Sequence, residues 1–411
     1  MTPADEHAAG GADAPAGART RALRVGIEAC TWSNRRGYGR FTRGLVGALV
    51  EEFPEHRFVL VVDRETAGQC SFPAGAELVV VDTAVQPTQA ASAAGSRGIA
   101  DIWRMSRALA GGRFDVVLFP TRYTFVPLPG RTPAVLTMHD ATDATQPQLL
   151  FPNWRAHLFW RIKSALAIRR ATRIMTVSHD ARRQIAREFG LPEASLGVVS
   201  EGPDPVFRPL HDASALAAIR ARFGLPAGGD IILYVGGISP HKNLQALLRA
   251  AARLRGAADG WHLVLVGDYQ ADSFLGCHQE LCALARELGI AERLSFTGFV
   301  ADGDLALLYN TAAMLVLPSK GEGFGLPVVE AMACGVAVAA SDRNSLPEVL
   351  GGTGLLFDPD RDDEIADALL RLLRDRELRA DLGRRGLERA QQYSWRAGAR
   401  TMMRVLAEAA G

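Results

Sequence analysis

Short apolar runs alternate with amphipathic segments along most of the chain. In the first part, an alternating run predicts a strand at 24–30. Apolar runs bounded by breaking residues predict further parallel strands of one doubly wound sheet at 58–63, 77–82, 114–119 and 134–138. Runs of the same kind predict further strands at 231–235, 262–267, 294–300 and 314–318. Several of these runs are followed by a glycine turn and a pattern with helical spacing, as at 41–50. The pattern therefore predicts an α/β protein.

Length indicates more than one such unit. A chain of 411 residues exceeds what one hydrophobic core usually serves, so two globular domains are expected. A Pro-rich crossing ends at Pro209, which predicts a first domain over 21–209 and a second over 210–390. Residues 1–20 are rich in Ala and Gly and lack the apolar stretch that a signal peptide requires. We expect them to form a disordered tail.

Composition narrows the function classes. The formal net charge is +1, which gives no global attraction to nucleic acid. The five cysteines are few and odd in number, which indicates reduced thiols. No apolar run reaches the roughly twenty residues that span a bilayer. We therefore expect a cytoplasmic protein, either soluble or bound peripherally at the inner face of the cell membrane.

No metal site is predicted. Cys277 and Cys282 lack a second pair of ligands, and a structural zinc site wants four. Asp302-Gly-Asp304 resembles a metal-binding triplet, but it immediately precedes an apolar helical pattern. Because acidic residues favour the first turn of a helix, we assign both aspartates to that turn.

The most informative segment is a glycine-rich turn between a strand and a helix. Gly321, Gly323 and Gly325 follow the strand at 314–318, and Pro327 suits the first helical turn. The exposed N–H groups of such a turn favour a phosphate. Glu322 lies in the turn, within reach of hydroxyls on a sugar attached to that phosphate. Glu330 lies one helical turn further on, where an ionised carboxylate can accept two hydrogen bonds from a ribose.

The alternative for this segment alone is a capped helix in an ordinary α/β protein, with two surface glutamates.

Two other strand ends carry residues that are candidates for substrate binding. Gly236 and Gly237 precede Lys242, a compact positive charge suited to a diphosphate. The pair His139-Asp140 ends another predicted strand and is a candidate for substrate contact, the alternative being a locally satisfied histidine.

Two basic segments remain open to two interpretations. The loop 35–39 holds two arginines and two glycines, Gly37 and Gly39, and is either a ligand-facing loop or a tight turn with solvated arginines. Residues 154–187 are helical in pattern, basic and interleaved with aromatic residues. They form either a surface that contacts the membrane or a solvated basic face with its aromatic residues packed inward.

The glycine-rich segment resembles the signature of a known family, the retaining glycosyltransferases of family 4 (glycosyl transferases group 1). The matching residues run from Glu322 to Gly335 as Glu-Gly-Phe-Gly-Leu-Pro-Val-Val-Glu-Ala-Met-Ala-Cys-Gly. The resemblance implies the GT-B architecture, in which two Rossmann-like domains face each other across a cleft. It also implies a first domain that binds the acceptor, a second that binds the nucleotide sugar, and a closing helix over 391–411 that crosses back to the first domain.

The resemblance also implies roles for individual residues. The catalytic residues are then His139, Lys242 and Glu322. The donor is bound by Gly39, Gly236, Gly237, Lys242, Gly298, Phe299, Val300, Glu322, Gly323, Phe324, Gly325, Leu326 and Glu330. The chain departs from the family at Gly237, where many members carry an arginine. The second positive charge of the diphosphate site is therefore missing or supplied from elsewhere.

The reaction that follows is transfer of a hexose, with mannose favoured, from a nucleotide-diphosphate sugar to a glycan or lipid-linked acceptor in polysaccharide biosynthesis. The resemblance implies retention of configuration without a protein nucleophile. Lys242 and the helix N-termini can stabilise the leaving diphosphate electrostatically, so we expect no metal and no cofactor. The alternatives are a nucleotide-sugar epimerase of the same fold and a catalytically silent sugar-nucleotide binding module. A dinucleotide-dependent oxidoreductase is disfavoured, because the loop at 36–40 does not match G-x-G-x-x-G.

Overall fold

A computed structural model describes residues 21–84, 98–151, 153–269 and 277–411. The tail predicted to be disordered, 1–20, lies outside these residues. Two parallel sheets, each covered by helices, make up the described part of the chain. We call the first sheet with its helices the first lobe and the second sheet with its helices the second lobe.

The first sheet has seven strands in the order β3-β2-β1-β4-β5-β6-β7. The strands are β1 (Arg24–Glu28), β2 (Arg57–Asp63), β3 (Ala76–Val81), β4 (Val116–Phe119), β5 (Ala134–Thr137), β6 (Arg173–Thr176) and β7 (Leu196–Val198). The helices are α1 (Gly37–Glu52), α2 (Arg64–Gln69), α3 (Ile99–Gly111), α4 (Thr142–Thr145), α5 (Pro147–Leu150), α6 (Trp154–Arg170) and α7 (His179–Phe189). All strand pairs are parallel, so the carboxyl ends lie along one edge.

The second sheet has six strands in the order β10-β9-β8-β11-β12-β13. They are β8 (Asp230–Val235), β9 (Trp261–Val266), β10 (Leu294–Gly298), β11 (Ala312–Leu317), β12 (Ala337–Ser341) and β13 (Leu355–Phe357). The helices are α8 (Ala213–Arg222), α9 (Leu244–Ala252), α10 (His278–Glu287), α11 (Asp302–Thr311), α12 (Leu326–Ala333), α13 (Leu346–Leu350), α14 (Asp362–Arg374) and α15 (Arg376–Ala390). This sheet is also parallel throughout.

The last helix, α16 (Trp395–Ala410), packs against the first lobe. The indole of Trp395 lies so close to Gly44 of α1 that a Cβ there would be 2.3 Å from it. Arg396 pairs with Glu51 at 2.8 Å, and Arg400 pairs with Glu52 at 2.7 Å. The chain therefore connects the two lobes twice, once after β7 and once before α16.

One prediction about the first turn is wrong. Helix α1 begins at Gly37, so Gly39 belongs to its first turn and not to a loop. A Cβ on Gly39 would lie 1.8 Å from the carbonyl oxygen of Asn34, which explains the glycine by contact within the chain itself. None of the described helices is long and apolar enough to cross a bilayer.

Candidate active site

A cavity of about 270 Å³ lies between the carboxyl ends of the two sheets. Residues that follow β5, β6, β8, β9, β10 and β11 line it, as expected for a ligand site in parallel α/β sheets. Of the predicted site residues, the lining includes His139, Gly236, Gly237, Lys242, Phe299, Val300, Glu322, Gly323, Phe324, Gly325 and Leu326. Gly39, Gly298 and Glu330 are not part of it.

Lys242 and Glu322 meet at the centre of the second lobe's wall. The Lys242 Nζ donates to Glu322 Oε1 at 2.7 Å, and both side chains are largely buried. Lys242 ends a short 3-10 turn, and the loop that carries Glu322 is held by the hydroxyl of Ser345, which donates to the Glu322 carbonyl at 3.0 Å. A cation and a carboxylate are therefore fixed side by side, one suited to phosphate and the other to sugar hydroxyls.

His139 follows β5 on the opposite wall. Its Nε2 lies 3.0 Å from the carbonyl oxygen of Pro120, which can only accept, so Nε2 carries the proton. The rings of Tyr38 and Phe41 meet the imidazole edge-on, with centroids at 5.1 and 4.5 Å. These contacts fix the orientation of the imidazole at the cavity wall.

Glu201 is a functional candidate that the sequence reasoning missed. It is buried, lines the cavity, and its Oε1 lies 3.9 Å from His139 Nδ1. Burial raises the pKa of Glu201, and the neighbouring His139 opposes the shift. The only signal in the sequence is its place at the end of the apolar run before a Pro-rich crossing, which does not point to chemistry.

Glu330 lies behind the cavity wall, in the helix that the glycine-rich turn opens. It is 1% exposed, and its Oε2 accepts from the hydroxyl of Tyr309 at 3.0 Å. Its Oε1 accepts from Arg40 of the first lobe. Burial raises the pKa of Glu330 to about 7, although the charge of Arg40 lowers it. Both carboxylate oxygens thus already accept from protein groups, and a ribose at Glu330 would bind through their remaining lone pairs or replace Arg40.

Arg40 joins the two lobes. Besides Glu330 it donates to Asp302, in the first turn of α11, and its guanidinium lies 5.5 Å from the ring centroid of Phe207. Burial acts to lower the pKa of Arg40, but the charges of Glu330 and Asp302 outweigh it and raise the pKa. Asp302 therefore occupies the predicted first helical turn and also forms an ion pair across the cleft.

The glycine-rich turn brings the two lobes into backbone contact. A Cβ on Gly323 would lie 2.1 Å from the carbonyl oxygen of His139, and the hydroxyl of Ser178 donates to the Gly323 carbonyl at 2.7 Å. Nearby, Glu348 accepts from the backbone N–H groups of His179 and Asp180 at 2.9 and 2.8 Å. Gly323 is thus required at least as much for contact between the lobes as for approach of a ligand.

The phosphate side of the cavity combines exposed backbone with basic side chains. Gly325, with φ 99°, precedes α12, and Leu326 and Pro327 in its first turn line the cavity. Gly236, Gly237 and Lys242 lie on the same wall. Burial, with the charges of Lys242 and Arg36, lowers the pKa of His241 to about 3. His241 is therefore neutral at pH 7 and adds no positive charge.

The basic helix α6 exposes most of its large apolar side chains. Trp160 is buried and packs on Tyr123 of the cavity wall, with ring centroids 5.0 Å apart. Ile168 also packs against the core of the first lobe. Five other large apolar side chains of α6 point outward, with exposed fractions of 69% for Trp154, 45% for Leu158, 57% for Phe159, 54% for Ile162 and 52% for Leu166. The interpretation in which the aromatic residues pack inward is therefore wrong for Trp154 and Phe159.

The described residues contain no group of three or more His, Cys, Asp or Glu side chains that could hold a metal ion. Among them, five cysteines are free thiols, of which Cys30, Cys277 and Cys334 are buried.

Two protein families match this chain. Residues 35–207 match the family described as Glycosyltransferase Family 4, and residues 217–389 match the family described as Glycosyl transferases group 1.

Characterised relatives are similar over about two thirds of the chain. The O-antigen chain mannosyltransferase B of Escherichia coli is 33% identical over 263 residues, which cover 64% of this chain and 67% of that protein. The D-inositol 3-phosphate glycosyltransferase of Nocardia farcinica is 33% identical over 64% of this chain and 59% of that protein. The serotype-specific mannosyltransferase WbdA of Escherichia coli is 30% identical, but the match spans only 29% of its length.

Solved structures share the arrangement of both lobes. The sucrose-phosphate synthase of Thermosynechococcus elongatus superposes with a TM-score of 0.75 at 20% identity, over 94% of this chain and 99% of that one. HepE of Anabaena in complex with UDP-glucose gives a TM-score of 0.71 at 18% identity, over 94% of this chain and 100% of that one. At these identities the similarity shows the fold.

Proposed function

Since the chain belongs to glycosyltransferase family 4 and has the GT-B fold, we propose that it moves a hexose, with mannose favoured, from a nucleotide-diphosphate sugar to a glycan or lipid-linked acceptor. The transfer retains the anomeric configuration and needs no metal ion or other cofactor. It takes place in the cytoplasm during polysaccharide biosynthesis. The mannosyltransferases among the relatives support the choice of sugar and pathway.

The observation that carries the proposal is the meeting of three predicted groups in one cavity. Lys242 and Glu322 form an ion pair on one wall, and His139 lies on the other. Transfer from a nucleotide sugar places negative charge on the departing diphosphate and positive charge on the anomeric carbon. Lys242 and the N–H groups at the start of α12 stabilise the diphosphate, which then takes the proton of the attacking acceptor hydroxyl. Glu322 binds hydroxyls of the transferred sugar.

Closure of the two lobes protects this reaction from water. Arg40, Ser178 and Glu348 all form contacts between the lobes around the cavity. A closed cleft excludes water, which would otherwise accept the sugar in place of the acceptor.

The first test is binding of the donor. The melting temperature of the protein is measured with UDP, GDP, ADP and their sugars, with and without Mg²⁺, because a ligand of the native state raises it. We expect one diphosphate and its sugars to raise the melting temperature equally in both conditions. A shift that requires Mg²⁺ would contradict metal independence, and no shift with any nucleotide would favour the silent binding module.

The second test separates transfer from binding. With the donor so identified, Lys242→Ala and Glu322→Ala are each expected to lower kcat by about 10²–10³-fold. Lys320→Ala is the matched control, because Lys320 lies in the same loop but pairs with Asp360 at the surface. The anomer of the product, read by NMR, tests retention. Activity that survives in both site variants would contradict the assignment of this cavity.

We further propose that α6 contacts the membrane surface, which places the cavity near a lipid-linked acceptor. The outward apolar side chains recur along one face of the helix, and exposed Arg155, Arg161 and Arg169 accompany them. Such a helix binds anionic headgroups while its apolar face enters the interface. The inward residue Trp160 packs on Tyr123, so the same helix reaches the cavity wall.

Sedimentation with phosphatidylcholine vesicles, with and without phosphatidylserine, tests this contact. We expect binding to the anionic vesicles, weakened by salt and lost in the double variant Trp154→Ala/Phe159→Ala. Leu356→Ala is the matched control, because Leu356 is an equally apolar residue exposed on the second lobe. Equal sedimentation of all three proteins would contradict a role for α6.

A further inference from the structure

The diphosphate site lacks one of the positive charges that its chemistry requires, if the proposed transferase function holds. On the second lobe, Lys242 supplies one cation, Gly237 has no side chain, and His241 is neutral at pH 7. A departing diphosphate carries more than one negative charge, so a single buried lysine leaves it incompletely neutralised.

The first turn of α1 presents arginines at this place. Arg36 is the N-cap of α1, and its backbone is fixed by Asn34, whose Oδ1 accepts from the Arg36 N–H at 2.7 Å. Arg35, Arg36 and Arg40 line the same cavity as Gly236, Gly237 and Lys242. The turn therefore brings basic side chains of the first lobe to the wall of the second.

The two flanking arginines hold this turn against the second lobe. Arg35 lies 3.9 Å from Asp268, and its guanidinium stacks 4.5 Å from the ring centroid of Phe299. Arg40 is bound to Glu330 and Asp302. Arg36 thus lies between two points at which its own turn is fixed to the opposite lobe.

The surroundings of His241 relate Arg36 to Lys242. Burial lowers the pKa of the Arg36 guanidinium, and the neighbouring Tyr38 and Asp268 oppose the shift. Arg36 and Lys242 both lower the pKa of His241, so the two cations act on the same imidazole from opposite lobes. A phosphate near His241 would be attracted by both.

We propose that Arg36 of the first lobe supplies the second positive charge of the donor diphosphate site and replaces the side chain that Gly237 lacks. The site is then divided between the lobes, with Lys242 on one and Arg36 on the other. The diphosphate is fully neutralised only while the lobes are together, so stabilisation of the leaving group depends on closure.

Calorimetric titration tests whether Arg36 contributes to the diphosphate site. The wild type, Arg36→Gln and the control Arg64→Gln are titrated with UDP, GDP and ADP and with the matching monophosphates. Loss of one buried charged hydrogen bond predicts a Kd for the bound diphosphate that is about 10–100-fold higher in Arg36→Gln. We expect a much smaller change for the monophosphate, and a change within about threefold in Arg64→Gln, whose side chain is exposed on the first lobe and does not line the cavity.

A second variant restores the positive charge of the diphosphate site from the second lobe. In Arg36→Gln/Gly237→Arg, the new Cβ meets the Ser239 hydroxyl at 3.7 Å, which is ordinary contact, and no other heavy atom of the described residues within 4 Å. We expect this double variant to recover most of the lost affinity for the diphosphate. Unchanged affinity in Arg36→Gln, equal weakening of monophosphate and diphosphate, or no recovery in the double variant would each overturn the proposal. Failure of the wild type to bind any diphosphate would instead contradict the proposed function itself, and the inference would fall with it.

Discussion

Some buried carboxylates at the site find their partner across the cleft and others within one lobe. Glu330 takes its cation from Arg40 of the opposite lobe, and Asp302 shares that arginine. Glu201 faces His139 on its own wall. Removal of one member of a buried ion pair leaves the other uncompensated, which costs more than the pair itself contributes. The contacts of Arg40 therefore link the integrity of the site to the position of the lobes.

His241→Gln is expected to make the protein less sensitive to acid. The pKa of folded His241 is about 3, whereas an unfolded histidine titrates near about 6.5. Between these values only the unfolded chain binds the proton, so the free energy of unfolding falls as the pH falls. At about pH 5 this linkage costs about 2 kcal/mol. Denaturant unfolding at about pH 7 and pH 5 should therefore show a smaller loss in the variant.

Glu330 changes the free energy of unfolding with pH in the opposite direction to His241. Its pKa of about 7 lies above the usual range, so the folded state binds the extra proton and the free energy of unfolding rises as the pH falls through that window. This contribution is common to both proteins and cancels in their difference. Equal losses in the wild type and in His241→Gln would mean that folded His241 is protonated.

For single residues, the sequence predicted which residues belong to the site better than it predicted the contacts that they make. Lys242, Glu322 and His139 were found because their chemistry follows recognisable strand ends and glycine turns, and all three line the cavity. Arg40 and Glu201 were missed as partners, because ion pairs and buried contacts across a cleft have no signal in local spacing. The contacts of Glu330 with Arg40 and Tyr309 were missed for the same reason, and its role toward a ribose stays a prediction.

Among the elements, the glycine-rich turn makes a tight backbone contact between the lobes. Gly323→Ala is expected to lower the free energy of unfolding by about 1–3 kcal/mol, because the new Cβ meets the rigid backbone of His139. Activity should fall with it, since the strain displaces Glu322. Gly47→Ala, in the middle of α1, is the control: no heavy atom of the described chain lies within 4 Å of the added Cβ, so the variant should be more stable by about 0.5–1 kcal/mol.

Thermal and denaturant unfolding of the two variants measures this difference. A Gly323→Ala protein as stable and as active as the wild type would show that the lobes can separate locally without cost.

The apolar runs predicted strands well, and four strands were missed. β1 follows an alternating run, β2, β8 and β9 follow continuous apolar runs, and all four appear where expected. The missed strands are β6, β7, β12 and β13: β6 begins with an exposed arginine, β12 consists mainly of alanine, and β7 and β13 have three residues each. Such strands are fixed by pairing with their neighbours, which is tertiary context that periodicity does not contain.

For the whole molecule, α16 is the critical connection. Trp395→Ala is expected to lower the free energy of unfolding by about 3 kcal/mol, because the indole packs on Gly44 and meets the Phe41 ring edge-on, with centroids 5.9 Å apart. Arg396→Ala, its exposed neighbour, removes only surface ion pairs and should change stability by less than about 1 kcal/mol. Equal effects in chemical unfolding would contradict the packing role of Trp395.

The two-lobed architecture was predicted from chain length and strand pattern together with family resemblance. The predicted boundary near Pro209 falls between β7 and β8 and remains a prediction of where the domains separate. The way the lobes meet was not predictable, because it depends on contacts such as Ser178 with Gly323, which lie 145 positions apart in the chain.

The return of α16 to the first lobe also has a consequence for synthesis. Ribosomes deliver a chain from its N-terminus, and domains generally fold as they emerge. Here the face of α1 that holds Gly44 receives its cover only when Trp395 emerges, after the whole second lobe has been made. During translation the apolar surface of the first lobe therefore stays exposed until α16 is made. We expect the protein to depend most on chaperones at this stage.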